Sequence, residues 1–175
     1  YVLSGDAADP DDYTIAPNPV VIPAGMTTAD VTVTLVSDLL DETDETVILS
    51  IGTPTNAGVG ATGAHTLTIN DDDATPTVQF TAAAQSVGEA AGTGTVTVEL
   101  SAASGLPVSV PYLVAGDAAD PDDYTIAPNP VVIPAGMTTA DVTVTLVSDL
   151  LDETDETVIL SIGVPTNAGV GATGA

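Results

Sequence analysis

The sequence predicts an all-β protein built from antiparallel sandwiches of about seven strands, repeated in tandem with a period of 111 residues. Three observations carry this reading. First, Gly5 to Ala64 recurs as Gly116 to Ala175, with one difference over 60 positions, Thr53 against Val164. Second, the apolar residues alternate with polar ones at period two, as in Val31, Val33 and Leu35 and again in Val142, Val144 and Leu146. Such alternation with β-branched residues argues half-buried strands, and no stretch shows a 3.6-residue stripe. Third, Pro and Gly clusters punctuate the runs: Pro17-Asn18-Pro19, Pro23-Ala24-Gly25, Gly58-Val59-Gly60.

A period of this length is an ordinary size for one domain. Residues 1–73 are expected to form a partial unit lacking its first strands, 74–76 a linker, and 77–175 a unit lacking its last strand. In the fuller unit the alternation of Val96, Val98 and Leu100 places a strand at 95–100. Val108, Val110 and Tyr112 place one at 107–114, and Val142, Val144 and Leu146 one at 141–148. The short runs 77–82, 130–134 and 156–162 complete the set, and a seventh strand is expected beyond residue 175, equivalent to 65–70 around Leu67 and Ile69. About seven short antiparallel strands in roughly 100 residues is the profile of an immunoglobulin-like sandwich. The likeness is architectural, because the chain has no Cys and no Trp.

Composition narrows the function. Hydrophobic residues make up 44% of the chain, enough for a core in each unit, and aromatics only 3%, so that core is aliphatic. There is no Lys or Arg against 25 Asp plus Glu. Nucleic acid and anionic membrane surfaces are excluded as electrostatic partners, since nothing can neutralise phosphate. No run of 18 apolar residues exists to insert into a membrane. Without Cys there is neither a disulfide nor a thiolate metal site. The single His65 begins a strand outside the acidic segments, so neither a triad nor a phosphate site can be assembled, and no enzyme is expected.

The acids are clustered. Of the fifteen in one period, 65–175, twelve fall in Asp71–Asp73, Asp117–Asp123 and Asp149–Glu156. A surface kept soluble by net charge would scatter them over every exposed strand face, but those faces carry Thr and Ser. Clustering favours cation binding. Asp117–Asp123 lacks the alternating acids, central Gly and closing Glu of an EF-hand loop. Taken singly, Asp122 and Asp155 read as solvated turn residues, and Tyr1, Tyr13, Tyr112 and Tyr124 as packing at strand ends.

These motifs resemble the Calx-β domain in order, spacing and residue type: SVGEAAGTGTVTVELS, GDAADPDDYTIAPNPVVIPAG, DVTVTLVSDLLDETDETVILSIG and HTLTINDDD. The resemblance covers essentially the whole chain. It implies calcium ligands at Glu89, Asp123, Asp149, Glu153 and Glu156 in the second unit. In the first unit it implies Asp12, Asp38, Glu42 and Glu45, closed by Asp71, Asp72 and Asp73. One departure is Val158, where the family more often has an aromatic; it touches the core rather than the ligands.

The expected function is a calcium-binding (Ca2+) structural repeat of an extracellular, secreted adhesin, surface or filament protein, with calcium at the acidic loops rigidifying domains and junctions. Its partners are calcium ions and neighbouring repeats, or identical chains in a filament. Two alternatives stay open: a calcium-sensing regulatory module, and a subunit of a self-assembling filament that uses strand complementation.

Overall fold

The computed structural model describes residues 1–150 and 154–171. The Val/Thr alternation becomes register in the second unit. Its strands are β6 (Thr77–Phe80), β7 (Thr93–Leu100), β8 (Val108–Val110), β9 (Tyr112–Gly116), β10 (Tyr124–Ile126), β11 (Val131–Ile133), β12 (Thr139–Leu146), β13 (Val158–Ile162) and β14 (Gly169–Val170). One sheet runs in the order β10-β12-β7-β6-β14, and β11-β8 and β13-β9 form two further pairs. β12 lies antiparallel to β7 from Thr139 opposite Glu99 to Thr145 opposite Thr93. Period two then turns Val142 and Val144 inward while Thr143 and Thr145 stay exposed. The core joins Val78, Val98 and Leu100 of the larger sheet to Val108, Val110 and Ile133 of the β8–β11 pair. It is aliphatic, with Phe80 packed at its margin.

Two features differ from the sequence-based expectation. The strand expected at 107–114 is two strands that serve different pairs, broken at Pro111. Proline has no N–H to give a ladder. The Pro111 carbonyl takes the Gly163 N–H at 2.8 Å, and the Tyr112 N–H turns to Asn129 Oδ1 at 3.1 Å. Asn129 Nδ2 returns a bond to the Tyr112 carbonyl at 2.6 Å, and the Tyr112 hydroxyl donates to the Ala127 carbonyl. Burial pushes that hydroxyl's pKa above its ordinary value. The second difference is two extra strands, β10 and β14. β14 runs parallel to β6, with Gly169 opposite Thr77, so the unit is not wholly antiparallel.

By contact the chain divides into two compact units, Tyr1–Leu39 with Thr43–Asp72, and Leu40–Glu42 with Asp73–Ala175. The first unit holds β1 (Val2–Gly5), β2 (Tyr13–Ile15), β3 (Val33–Leu35), β4 (Glu45–Ser50) and β5 (Ala64–Ile69). β1, β4 and β5 make one sheet with β4 in the middle, and β2 pairs with β3. Val47 is fully buried and Tyr13 nearly so. The same Asn–Tyr clasp closes this unit: Asn18 Nδ2 donates to the Tyr1 carbonyl at 2.7 Å, and the Tyr1 hydroxyl to the Ala16 carbonyl. Residues 20–22 and 28–32, whose equivalents form β11 and most of β12, are not strands here.

Candidate metal centre

Strand direction decides where the acids go. In the second unit Tyr124 at the start of β10 faces Leu146 at the end of β12. Thr93 at the start of β7 faces Thr145, and Val158 at the start of β13 faces Gly116 at the end of β9. The connections 81–92 and 117–123, and the described residues 147–150 and 154–157, therefore lie at one end of the unit. They carry Glu89, Asp123, Asp149 and Glu156.

Hydrogen bonds hold these loops to one another. Glu89 opens a short 3-10 turn, Glu89–Ala91, that Gly92 ends at φ 76°. The Gly92 carbonyl accepts from Leu146 N–H at 2.9 Å, and Glu89 Oε1 accepts from Asp149 N–H at 2.9 Å. Two acids 60 residues apart in sequence thus meet. Asp123 is half-buried; its carbonyl accepts from Val147 N–H at 2.9 Å and its Oδ2 from Ala119 N–H at 2.6 Å. Glu156 is exposed just before β13, and Glu153 lies outside the described residues.

One acid that the sequence reading passed over fixes the loop. Asp117 Oδ1 accepts from both the N–H (2.7 Å) and the hydroxyl (2.6 Å) of Thr157, beside Glu156. These bonds, the hydroxyl's first, hold the Asp117 pKa below the usual carboxylate value. Gly116 makes the approach feasible: its φ is +128°, and a Cβ there would sit 2.0 Å from the Thr157 carbonyl oxygen. The first unit repeats the device, with Asp6 Oδ1 taking the Thr46 N–H and hydroxyl at 2.6 Å each, and its pKa is lowered by the same causes.

In the first unit the C-terminal ends of β1, β3 and β5 and the starts of β2 and β4 also share one end, by the registers Gly5–Val47, Tyr13–Leu35 and Glu45–Ile69. Asp12, Asp38, Glu45, Asp71 and Asp72 stand in or beside the loops there. Asp12 is half-buried, with its carbonyl on Val36 N–H at 2.9 Å and its Oδ2 on Ala8 N–H at 2.5 Å. Asp44, equivalent to the Asp155 read as a solvated turn residue, takes the Asp71 N–H on its Oδ1 at 3.0 Å.

Glu42 and Asp73 fall elsewhere. Both belong to the compact body of the second unit, Glu42 lying against Gly105 in the connection between β7 and β8. That connection is at the end opposite the 117–123 loop. The neighbouring Asp41 is buried there, its Oδ1 accepting from the Thr75 hydroxyl at 3.0 Å and its carbonyl from Gly105 N–H at 3.1 Å. His65 sits exposed at the start of β5, away from the acidic end of its unit.

Among the described residues no three acidic or histidine side chains converge closely enough to hold a metal ion. The folded loops gather carboxylates at one end of each unit, and the pairs that meet do so through backbone amides. The donors themselves suit a hard, oxygen-seeking cation: they are all carboxylates, in a chain with no Lys or Arg to neutralise them.

A family model described as the Calx-beta domain matches residues 2–73 and again 71–172. Among solved structures, the chain is similar to the crystal structure of CBD12 from CALX1.2, at 22% identity and a TM-score of 0.47 over 92% of this chain. It is likewise similar to the calcium binding domain CBD12 of CALX1.1, at 20% identity and 0.47 over the same share. The chain spans 64% of the length of each. No curated protein matches it. The two family matches overlap at the Asp71–Asp73 triplet and take in every described strand of both units, so this chain belongs to the Calx-beta domain family as two consecutive domains.

Proposed function

We propose that the chain is a calcium-binding structural repeat of an extracellular adhesin, surface or filament protein. One observation carries the reading: loops remote in sequence bring their carboxylates to one end of each unit, with Glu89 bonded to the amide of Asp149. Left bare, such groups repel. Two unit charges 4 Å apart cost about 4 kcal/mol at an effective dielectric of 20. With no Lys or Arg in the chain, a divalent cation is the remaining source of neutralisation at neutral pH.

In this reading Glu89, Asp123, Asp149, Glu153 and Glu156 hold the ion in the second unit. Asp12, Asp38, Glu45, Asp71 and Asp72 hold it in the first. Binding draws the loops inward and removes their mutual repulsion. The ion works as a staple, which suits extracellular modules with dissociation constants of about 10⁻⁴–10⁻³ M. A hundredfold excess over that constant would stabilise a unit by about 2.7 kcal/mol. Near-identity of the copies favours structure over sensing, since a fibre needs many equal units whereas a regulatory array would diverge in affinity.

Isothermal titration of the 175-residue chain with calcium tests the reading. Saturable binding with a millimolar or tighter constant is expected, weakened by Asp123→Asn and Asp149→Asn, with magnesium a poor competitor because its small octahedral shell resists multi-carboxylate cages. Absence of saturable binding would end the calcium assignment.

A further inference from the structure

The loops at the acidic end are bonded into one network, and it runs through an acid that the ligand set leaves out. In the second unit Asp117 and Thr157 exchange four bonds. Asp117 Oδ1 accepts the Thr157 N–H at 2.7 Å and its hydroxyl at 2.6 Å. The Thr157 carbonyl accepts the N–H groups of Asp117 and Ala118, both at 3.2 Å. Thr157 follows Glu156, so this clamp fixes the backbone beside Glu156. Two residues past the Asp117 side of the clamp, Ala119 donates its N–H to Asp123 Oδ2 at 2.6 Å and accepts the Asp123 N–H at 2.8 Å. The Asp123 carbonyl takes the Val147 N–H at 2.9 Å, two residues before Asp149, whose own N–H meets Glu89. Asp117 thus joins Glu156 to Asp123, Asp149 and Glu89 along one hydrogen-bonded path. The first unit repeats it: Asp6 with Thr46 after Glu45, Ala8 with Asp12, and Asp12 with Val36 before Asp38. The units differ elsewhere, since residues 20–22 and 28–32 are not strands, so the path belongs to the loops themselves.

We infer that Asp117, and Asp6 in the first unit, are positioning residues for calcium: they set its affinity by holding the ligand loops, without being ligands. The inference rests on the calcium reading above. Two features set Asp117 apart from the ligands. Its Oδ1 is committed to both donors of Thr157. Its own N–H is bound to the same residue, after a Gly116 whose φ of +128° leaves no room for a Cβ, so chain direction and side chain are fixed together. Carboxylates brought close repel, and loops free to move would part. An ion that has to gather loose loops loses affinity to their ordering, and loops already tied spare that loss. Calcium affinity is accordingly tuned by the rigidity of a site as well as by the charge of its ligands. Asp117 contributes rigidity, whereas Asp123 and Glu156 contribute charge. A neutral side chain of the same shape should therefore replace Asp117 but not Asp123, because Asn keeps an acceptor oxygen for the N–H and hydroxyl of Thr157.

Calcium titration of the 175-residue chain, followed at the Asp123 and Asp149 amides by NMR, tests this. Asp117→Ala should weaken binding in the second unit about tenfold or more, as removal of a group that orients a metal ligand does. Asp117→Asn should restore most of that loss, whereas Asp123→Asn should not bind as the unaltered chain does. Thr157→Val deletes only the hydroxyl and should weaken binding in the same direction but less, which covers the case in which Asp117→Ala does not fold. If Asp117→Asn weakened binding as much as Asp117→Ala, the residue would act through its charge, as a ligand does, and the inference would fall. It would also fall if Asp117→Ala lowered Tm in chelator yet left calcium affinity unchanged, because the clamp would then serve the fold alone. No calcium binding by the unaltered chain would instead remove the calcium reading itself, and this inference with it.

Discussion

At the scale of single residues, this chain uses its acids in two ways. Asp6 and Asp117 serve the fold: each lies 40 residues before a threonine whose amide and hydroxyl it accepts. Their pKa values are held below the ordinary 3.8 by those bonds. The sign of the pH dependence follows. The stabilisation is fully present above the unfolded-chain value of about 3.9 and is lost as pH falls through the lower folded value. A carboxyl-carbon NMR titration should place both midpoints below 3.8, and Thr157→Val should bring Asp117 back toward that value while leaving Asp6 unchanged. Equal midpoints before and after that substitution would remove the hydroxyl as the main cause. Gly116 belongs to the same device. Gly116→Ala combines a left-handed φ with a Cβ driven into the Thr157 carbonyl, and should cost at least about 1–3 kcal/mol in urea unfolding. Asp12 and Asp123 were named in the sequence only through the resemblance, each standing just before a Tyr. The role of Asp117 had no such signal, because a bond to a residue 40 positions away leaves no local pattern.

At the scale of elements, the duplication supplies a controlled comparison of context. Ile22 and Ile133 share their flanking sequence, yet one is 54% exposed and the other fully buried in the core that includes Val78, Val98 and Leu100. Ile133→Ala should therefore cost about 2–5 kcal/mol, as a large-to-small change in a packed core does. Ile22→Ala should stay within about 0.5 kcal/mol, as on an ordinary surface. Chemical denaturation of the two variants checks this, and equal costs would mean that the first unit packs Ile22 as well. The same contrast shows what alternation can and cannot reveal. β7 and β12 were readable because period two persists along them. The expected 107–114 strand overran Pro111, where the missing N–H and the Asn129 clasp move the chain to another pair. β10 and β14 have only three and two residues, too few to display a period, and β14 is defined by its parallel bond to β6 rather than by its composition. At the acidic end, the clustering of carboxylates was visible in the sequence. That Glu42 and Asp73 would fall into the second unit's body was not, because contacts and not spacing decide it.

For the whole molecule the governing quantity is a formal net charge of −25 with no basic side chain. Self-repulsion of this size opposes compaction, and both salt and a bound divalent ion relieve it, but they do so differently. Screening acts on all exposed acids, whereas an ion held by loops acts at one end of each unit. Thermal melting should separate the two: at fixed ionic strength calcium should raise Tm by several degrees, and chelator should reverse the gain. Glu156→Gln should reduce the gain while leaving the calcium-free Tm close to that of the unaltered chain. Val144→Asp should instead lower stability with and without calcium, by placing an unpaired charge against β7. If both variants gave one phenotype, site and core would not be the separate systems described above. The same logic extends to an array of repeats. In an array, each junction is expected to carry a short linker equivalent to 74–76, which would reach about 10 Å when extended. If calcium at the acidic ends stiffens these junctions, small-angle scattering of a multi-repeat chain should give a long, narrow distribution of end-to-end lengths in excess calcium. Chelation should shorten and broaden it while strand content, read by circular dichroism, survives. A distribution indifferent to calcium would leave the ions as stabilisers of single domains, and the stiffening of junctions by calcium would have to go.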